Sequence, residues 1–217
     1  MYILGITGPS GSGKSVLCQY LAQSGVIHID ADAVYHNLLV PPSPCLAAIR
    51  ENFGDGVFLP DGTLDRGALG AIVFSDQAKL ELLNETVLSF VTRKLHRMFL
   101  TFRENGENYI ALDAPTLIES GLDRNCNSVL SVLAPREERI RRIMERDGID
   151  RERAQKRTDA QKSDDFYREH SDLVLMNNGS PEALLAPLPE LFAKRRIFPG
   201  LVLPPYSTMK KQKGGAL

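Results

Sequence analysis

The sequence is short of several features that define whole classes of protein. It has no tryptophan, three cysteines, and no apolar run near the roughly 18 residues that a membrane-spanning helix needs. Lysine plus arginine (26) nearly equals aspartate plus glutamate (27), giving a net charge of -1, so the composition does not indicate a nucleic-acid or membrane partner. No signal peptide is indicated at the start of the chain, and we expect a cytoplasmic protein.

The few cysteines and histidines do not form familiar metal or disulfide patterns. Cys18, Cys45 and Cys126 are odd in number and far apart, so their spacing supports neither a disulfide framework nor a thiolate zinc site. Reduced thiols in apolar surroundings are the expected state. The 4 histidines show no H-x-x-x-H spacing, so a histidine metal site is not expected either.

The residues that are present indicate an α/β fold. A chain of 217 residues with 43% hydrophobic and 24% charged residues is long and apolar enough for a sizeable core. Short β-prone runs separated by helical segments predict a doubly wound, parallel five-stranded sheet, which binds ligands at the carboxyl ends of its strands. The runs are Tyr2–Thr7, 26–30, 109–112, 129–133 and Leu173–Met176.

A long stretch without a convincing strand separates the second and third runs. Within it, residues 77–102 carry apolar side chains at helical spacing, which suits one helix or a broken pair of helices. Near the end of the chain, proline, glycine and lysine become frequent. We therefore expect a nucleotide-binding core (1–34 and 104–198, with a lid at about 139–163), a helical acceptor-binding insertion (35–103) and a flexible tail (199–217).

The strongest signal is the segment GPSGSGKS at residues 8–15, which matches the P-loop pattern G-x-x-x-x-G-K-[ST] between a predicted strand and a predicted helix. The glycines allow backbone N–H groups to surround the phosphates of a nucleotide, and the helix terminus adds positive potential. Lys14 would reach the β- and γ-phosphates, and the Ser15 hydroxyl would ligate Mg²⁺. Since the N-K-x-D signature is absent and the chain is short, a nucleoside or metabolite kinase is favoured over a GTPase or a motor.

Two acids, Asp30 and Asp32, follow the second predicted strand. Phosphoryl transfer to an alcohol needs a carboxylate that accepts or orients the hydroxyl proton, and Asp32 is our candidate for this role. The competing interpretation is that one of the two acids caps the next helix.

Arginines are concentrated at residues 136–157. Most of them are balanced by glutamates, as on a solvated helix surface. Arg139, Arg142 and Arg146 share one helical stripe, which predicts a lid over the nucleotide with Arg142 in contact with phosphate.

From about residue 3 to residue 191, the chain resembles the dephospho-coenzyme A kinases. The combination of I-D-A-D with D-x-P-x-L-x-E-S-G-L is more specific for this family than the P-loop, which many families share. The matching segments are 8–15, I-D-A-D at 29–32, G-T-L-D-R at 62–66 followed by V-F at 73–74, L-D-A-P-T-L-I-E-S-G-L at 112–122, 142–148, 157–161, and D-L-V at 172–174 leading to Asn177.

This resemblance implies transfer of the γ-phosphoryl group of ATP to the 3'-hydroxyl of dephospho-coenzyme A, the last step of coenzyme A biosynthesis. It also implies a nucleotide core with a helical acceptor domain and a lid, with ATP and Mg²⁺ as cofactors. The motifs and the resemblance together give these site residues: catalytic Lys14, Asp32 and Arg142; ATP-binding Gly8, Gly11, Ser12, Gly13, Lys14, Ser15, Val16, Arg142 and Asn177; acceptor-binding Asp32, Arg66, Leu117 and Glu119; and Ser15 for Mg²⁺, with Asp32 or Asp113 acting through water.

The chain departs from the family pattern at two places, both on the acceptor side. Leu88-Ser89 stands where the family usually has His-Pro, and Thr116 stands where it has a second leucine. One alternative function is a P-loop kinase for another small hydroxyl acceptor, such as a nucleoside or a shikimate-like compound. The other is a nucleotide-binding regulator that has lost transfer, although such a protein would not need an acid opposite the γ-phosphate.

Overall fold

A computed structural model of the chain describes residues 1–208. Its five strands form one parallel sheet in the order β2-β3-β1-β4-β5. This confirms the predicted α/β fold, with strand ends shifted by at most one residue from the predicted runs. The strands are β1 (Tyr2–Thr7), β2 (Ile27–Asp30), β3 (Tyr109–Asp113), β4 (Ser128–Leu133) and β5 (Leu173–Met176).

Strand β1 lies at the centre of the sheet and pairs in parallel with β3 on one side and β4 on the other. Five of its six residues are buried, as expected for a strand covered on both faces. The register places Ile6 opposite Asp113 of β3. The carboxyl ends of β1 and β3 therefore lie side by side, and the chain leaves β1 directly into the glycine-rich segment 8–13.

The chain divides into two compact units. The first consists of Met1–Ile29 and the chain from Gly106 onward, and it carries nearly all of the sheet. Its helices are α1 (Lys14–Gln23), α6 (Arg136–Asp147), α7 (Arg151–Asp159), α8 (Asp164–Glu169), α9 (Pro181–Leu185) and α10 (Leu188–Arg195).

The second unit, Asp30–Asn105, is helical. Its helices are α2 (Ala31–Leu38), α3 (Pro44–Phe53), α4 (Arg66–Val73) and α5 (Gln77–Glu104). Helix α5 is one continuous helix of 28 residues, and α2, α3 and α4 all contact it. Its buried residues Val87, Val91, Leu95 and Phe99 recur every four positions and form the apolar stripe that these contacts need. No helix within residues 1–208 is long and apolar enough to cross a membrane.

The segment 199–208 belongs to the first unit and packs into its core, so the expectation of a flexible tail is wrong for these residues. Leu203 is 6% exposed and belongs to the main apolar core together with Phe198. The buried Tyr20 hydroxyl donates a hydrogen bond to the Pro204 carbonyl at 2.6 Å. The segment has little regular structure, with a single helical turn at Tyr206–Thr208. The apolar side chains between its prolines are nevertheless sufficient to pack it against the core. Residues 209–217 of the predicted tail lie outside the described residues.

Candidate active site

The loop between β1 and α1 needs glycine at specific positions. Gly8 and Gly13 have φ angles of 131° and 103°, a region that residues with a Cβ atom rarely adopt. A Cβ atom on Gly8 would lie 2.2 Å from the Val132 carbonyl oxygen, and one on Gly13 would lie 2.2 Å from Nδ2 of Asn177. The backbone of the loop is thus held against β4 and the end of β5 in a conformation that other residues would disrupt.

Lys14, at the start of α1, lies over this loop. Its Nζ donates hydrogen bonds to the carbonyls of Gly8 at 2.6 Å and Pro9 at 3.3 Å. The Ser12 hydroxyl is buried and has no hydrogen-bond partner among residues 1–208, which is uncommon for a buried polar group. The first turn of α1 contains no acidic residue, so the helix terminus leaves positive potential in the loop. A lysine, an unsatisfied hydroxyl and a helix terminus together suit a phosphate group.

Arg142 of α6 connects the predicted lid segment to the loop. Its Nη1 donates hydrogen bonds to the carbonyls of Gly11 at 3.2 Å and Ser12 at 3.4 Å, and its Nη2 lies 3.4 Å from Oδ1 of Asn177. Asn177 is buried and donates from Nδ2 to the Ser12 carbonyl at 2.8 Å. Two predicted nucleotide-binding residues from distant parts of the sequence therefore contact the same stretch of the loop.

The other two arginines of the stripe occupy different surroundings. Arg146 Nη2 donates to the Ser10 hydroxyl at 3.2 Å, and the Ser10 N–H donates to Oε1 of Gln161 at 3.2 Å. Arg139 is buried, with Nη2 3.7 Å from Oδ1 of Asp164. Its Nε and Nη1 have no hydrogen-bond partner within the described part of the chain. The predicted stripe thus contacts the loop through Arg142 and Arg146, whereas the Arg139 side chain is buried beside α8.

Asp113 ends β3 and lies among residues of three elements. Its Oδ2 accepts a hydrogen bond from the Cys18 thiol at 3.5 Å and lies 3.7 Å from Nε2 of His28. Its Oδ1 is buried without a hydrogen-bond partner among residues 1–208. The next residue, Ala114, donates its N–H to the Ile6 carbonyl at 3.1 Å. Sequence reasoning missed the grouping of Cys18 and His28 with Asp113, because no local spacing connects a helix residue with residues of two strands.

The segment that follows β3 places its predicted site residues in different environments. Glu119 is exposed. Its charge contributes to the raised pKa of Tyr167, which reaches about 12 mainly because the Tyr167 phenol is buried. Leu117 is fully buried, and its Cδ2 would lie 2.6 Å from a Cβ atom on Gly5. Its side chain therefore packs in the interior beside β1, and an acceptor contact of Leu117 stays a prediction. Val16 of α1 is also partly buried, against the main core.

In the second unit, the structure distinguishes the two acids. The Asp30 carboxylate accepts hydrogen bonds from the N–H groups of Asp32 at 2.9 Å and Ala33 at 3.1 Å, so Asp30 caps α2. Asp32 is exposed in the first turn of that helix, where its side chain is not the cap. Arg66 is exposed at the start of α4, which Asp65 caps. The capping interpretation therefore holds for Asp30 and not for Asp32.

Comparison with known proteins gives one consistent result. A model of the dephospho-CoA kinase family matches residues 2–182. A dephospho-CoA kinase of Corynebacterium glutamicum is 36% identical over 89% of this chain and 97% of its own length. One of Symbiobacterium thermophilum is 39% identical over 83% of this chain and 75% of its own length. A Thermus thermophilus protein of known crystal structure superimposes with a TM-score of 0.74 at 34% identity, covering 89% of this chain and 97% of that one.

Proposed function

The chain belongs to the dephospho-CoA kinase family, and we propose that it transfers the γ-phosphoryl group of ATP to the 3'-hydroxyl of dephospho-CoA, the last step of coenzyme A biosynthesis. The observation that carries this proposal is the family match over residues 2–182, which includes the phosphate loop and the predicted acceptor-side segments. We also propose that the protein acts in the cytoplasm, in keeping with its composition.

On the nucleotide side, Lys14 and Arg142 supply positive charge. Both now donate to carbonyls of the loop, at 2.6 Å for Lys14 to Gly8 and 3.2 Å for Arg142 to Gly11. When ATP binds, its phosphate oxygens replace these carbonyls as stronger, charged acceptors. Donors held in place before the reaction stabilise the charge that develops on the transferring group without further reorganisation. Asn177 supports this arrangement through its hydrogen bond to the Ser12 carbonyl.

The residues next to the loop also suit a magnesium ion. Ser15 exposes its hydroxyl in the first turn of α1, and Asp113 ends the neighbouring strand with one buried oxygen that lacks a partner among residues 1–208. Oxygen donors of this kind are the ligands that Mg²⁺ prefers, and the ion usually keeps several waters. We assign Ser15 as the direct ligand, with Asp113 or Asp32 acting through water. Held by these residues, Mg²⁺ would supply positive charge next to the β- and γ-phosphates.

On the acceptor side, Asp32 is assigned as the catalytic carboxylate. Asp30 caps α2, and this supports Asp32 as the acid of the pair that serves the reaction. It accepts the proton of the 3'-hydroxyl while that oxygen forms a bond to the γ-phosphorus, and the bond from phosphorus to the β,γ-bridging oxygen breaks to release ADP. Arg66 and Glu119 are assigned to the acceptor, Arg66 as a partner for its phosphate groups.

A panel of acceptors tests the proposed function directly. The chain is incubated with ATP, Mg²⁺ and one acceptor at a time: dephospho-CoA, adenosine or shikimate. We expect ADP and coenzyme A to form together with dephospho-CoA, and at least about 100-fold slower turnover with the other two. Faster turnover with adenosine or shikimate would support another small-acceptor kinase. ATP binding without transfer to any acceptor would support the regulator.

A further inference from the structure

Three potential metal ligands meet in the first unit, and the proposed reaction does not use them as a set. They are the Cys18 thiol of α1, the His28 imidazole of β2 and the Asp113 carboxylate at the end of β3. One ligand atom from each lies within 4.8 Å of the others, and no other group of three or more histidine, cysteine or acidic residues within residues 1–208 comes as close. We propose that this trio, the Cys18–His28–Asp113 site, binds a zinc ion.

The distances suit a small tetrahedral ion. Zinc bonds of about 2.3 Å to sulfur and about 2.1 Å to nitrogen or oxygen, at tetrahedral angles, separate neighbouring ligand atoms by about 3.4 to 3.6 Å. Oδ2 of Asp113 lies 3.5 Å from the Cys18 sulfur and 3.7 Å from Nε2 of His28. These two separations are close to the tetrahedral values, and all three ligand atoms lie within 4.8 Å of one another, so an ion can enter after local movement of these side chains.

The kinds of ligand select zinc over magnesium. Magnesium takes oxygen ligands in an octahedral arrangement, whereas a thiolate, an imidazole and a carboxylate together are typical of zinc. Three protein ligands leave a fourth position for water, as in zinc sites that are not purely structural. Binding breaks the Cys18 S–H bond, forms a bond from sulfur to zinc and releases the proton to solvent.

The unsatisfied Asp113 oxygen is a second, independent observation. Oδ1 of Asp113 is buried and accepts no hydrogen bond from residues 1–208. A buried carboxylate oxygen without a partner is costly, and a cation next to the carboxylate offsets that cost. The competing interpretation is a local hydrogen-bonded cluster, in which the Cys18 thiol donates to Asp113 and His28 forms an ion pair with it. That interpretation predicts no specific metal binding.

The position of the site also predicts an effect on the reaction. Asp113 is in register with Ile6, two residues before Gly8 of the phosphate loop. A zinc ion there removes Asp113 from any role with magnesium, so low concentrations of zinc should inhibit phosphoryl transfer. This consequence rests on the proposed function, whereas the binding of zinc does not.

Cobalt is the spectroscopic probe for binding, because thiolate coordination to Co²⁺ gives a charge-transfer band that carboxylate and imidazole do not give. Untagged full-length protein is freed of metal with a chelator and titrated with Co²⁺, and Zn²⁺ is then added as a competitor. We expect the band to saturate at one Co²⁺ per chain and to disappear as Zn²⁺ displaces it. The parent protein without the band, or with a band that needs several Co²⁺ ions per chain, would overturn the site.

Single-residue variants test whether the Co²⁺ band comes from the Cys18–His28–Asp113 site. We expect Cys18→Ala to abolish it and His28→Gln to weaken Co²⁺ binding by at least about 10-fold, because even a partner that only supports a metal ligand typically contributes that much. Because His28 is exposed, His28→Gln should leave the fold intact even if a change at the buried Cys18 does not. Cys126→Ala is the matched control, since burial raises the pKa of that thiol to about 12 and it lies outside the site. Loss of the band in Cys126→Ala, or its survival in Cys18→Ala, would refute the assignment.

Kinase assays then test the link to the reaction. At saturating Mg²⁺, we expect Zn²⁺ to slow transfer in the parent and in Cys126→Ala, and His28→Gln to need at least about 10-fold more Zn²⁺ for the same inhibition. Zinc binding without inhibition would support the site and contradict its effect on catalysis. If the parent protein transfers no phosphate even in the assay to which no zinc is added, the proposed function is contradicted and the zinc site is not. The Co²⁺ titration measures the site separately.

Discussion

The two units of the chain hold their proposed functional residues in different ways. In the first unit, Lys14, Arg142 and Asn177 all form hydrogen bonds with carbonyls of the phosphate loop. In the second unit, Asp32 and Arg66 are exposed in the first turns of α2 and α4. The nucleotide side is therefore arranged before any ligand binds, whereas the acceptor side presents its polar groups to solvent. Changes in the first unit should affect ATP binding as well as transfer, whereas changes in the second should affect the acceptor and the transfer to it and leave ATP affinity unchanged.

The largest effect is expected from Lys14→Ala. This change removes the ammonium that lies 2.6 Å from the Gly8 carbonyl at the start of the loop. We expect kcat to fall by at least about 10³-fold, because the charge is lost where negative charge develops during transfer. Steady-state rates measure this, with circular dichroism to verify the fold. Turnover within about threefold of the parent would remove Lys14 from the site.

Arg142→Ala should have the next largest effect. Arg142, in the predicted lid segment, donates to the carbonyls of Gly11 and Ser12. Loss of one such charged donor should lower kcat by about 10²-fold. The matched control is Arg141→Ala on the same helix, since Arg141 is exposed and paired with Glu138 and Glu145. Equal losses in the two variants would show that the stripe position of Arg142 has no special role.

Arg66→Ala tests the acceptor side. We expect KM for dephospho-CoA to rise about 10-fold, since a charged hydrogen bond contributes roughly 1.5 to 3 kcal/mol. The KM for ATP should remain unchanged. Arg97→Ala, another exposed arginine of the second unit, is the control and should alter neither constant. A change in KM for ATP with Arg66→Ala would contradict the division of roles between the units.

The smallest effect on activity is expected at the end of the chain, where stability is the more informative measurement. Leu203→Ala should lower the free energy of unfolding by about 2 to 4 kcal/mol, because a buried leucine leaves a cavity. Tyr20→Phe should lower the free energy of unfolding by about 1 kcal/mol through loss of its hydrogen bond to Pro204.

Truncation after Thr208 should leave kcat and stability unchanged, since the family match ends at residue 182. Urea unfolding of the three variants distinguishes the packed segment 199–208 from a dispensable one.

The sequence predicted the nucleotide side well because its signals are local. Residues 8–15 form a contiguous motif between a strand and a helix, and each of the five strands lies within one residue of its predicted position. The i, i+4 spacing of Arg142 and Arg146 likewise anticipated that both would lie on one face of a helix, and both contact the loop. In a motif of this kind, the order of the residues along the chain determines which of them lie close together.

Features that depend on distant contacts were not predictable in this way. Prolines in segment 199–208 indicated a tail, whereas the burial of Leu203 depends on a core built from other parts of the chain. Leu117 lies in a segment that matches the family pattern, but its full burial beside Gly5 of β1 depends on contacts between distant parts of the chain. The grouping of Cys18 and His28 depends on the order of strands in the sheet, which spacing along the chain does not encode.

The division between the two units is tested most directly by Asp32→Asn. Single-turnover transfer to dephospho-CoA and ATP affinity are measured on the same preparation, because this change keeps the size of the side chain and removes its basicity. Since the cap of α2 is Asp30, the helix should persist. The account predicts a chemical step slower by about 10² to 10⁴-fold with ATP affinity nearly unchanged. Transfer at close to the parent rate, or a comparable loss of ATP affinity, would contradict it.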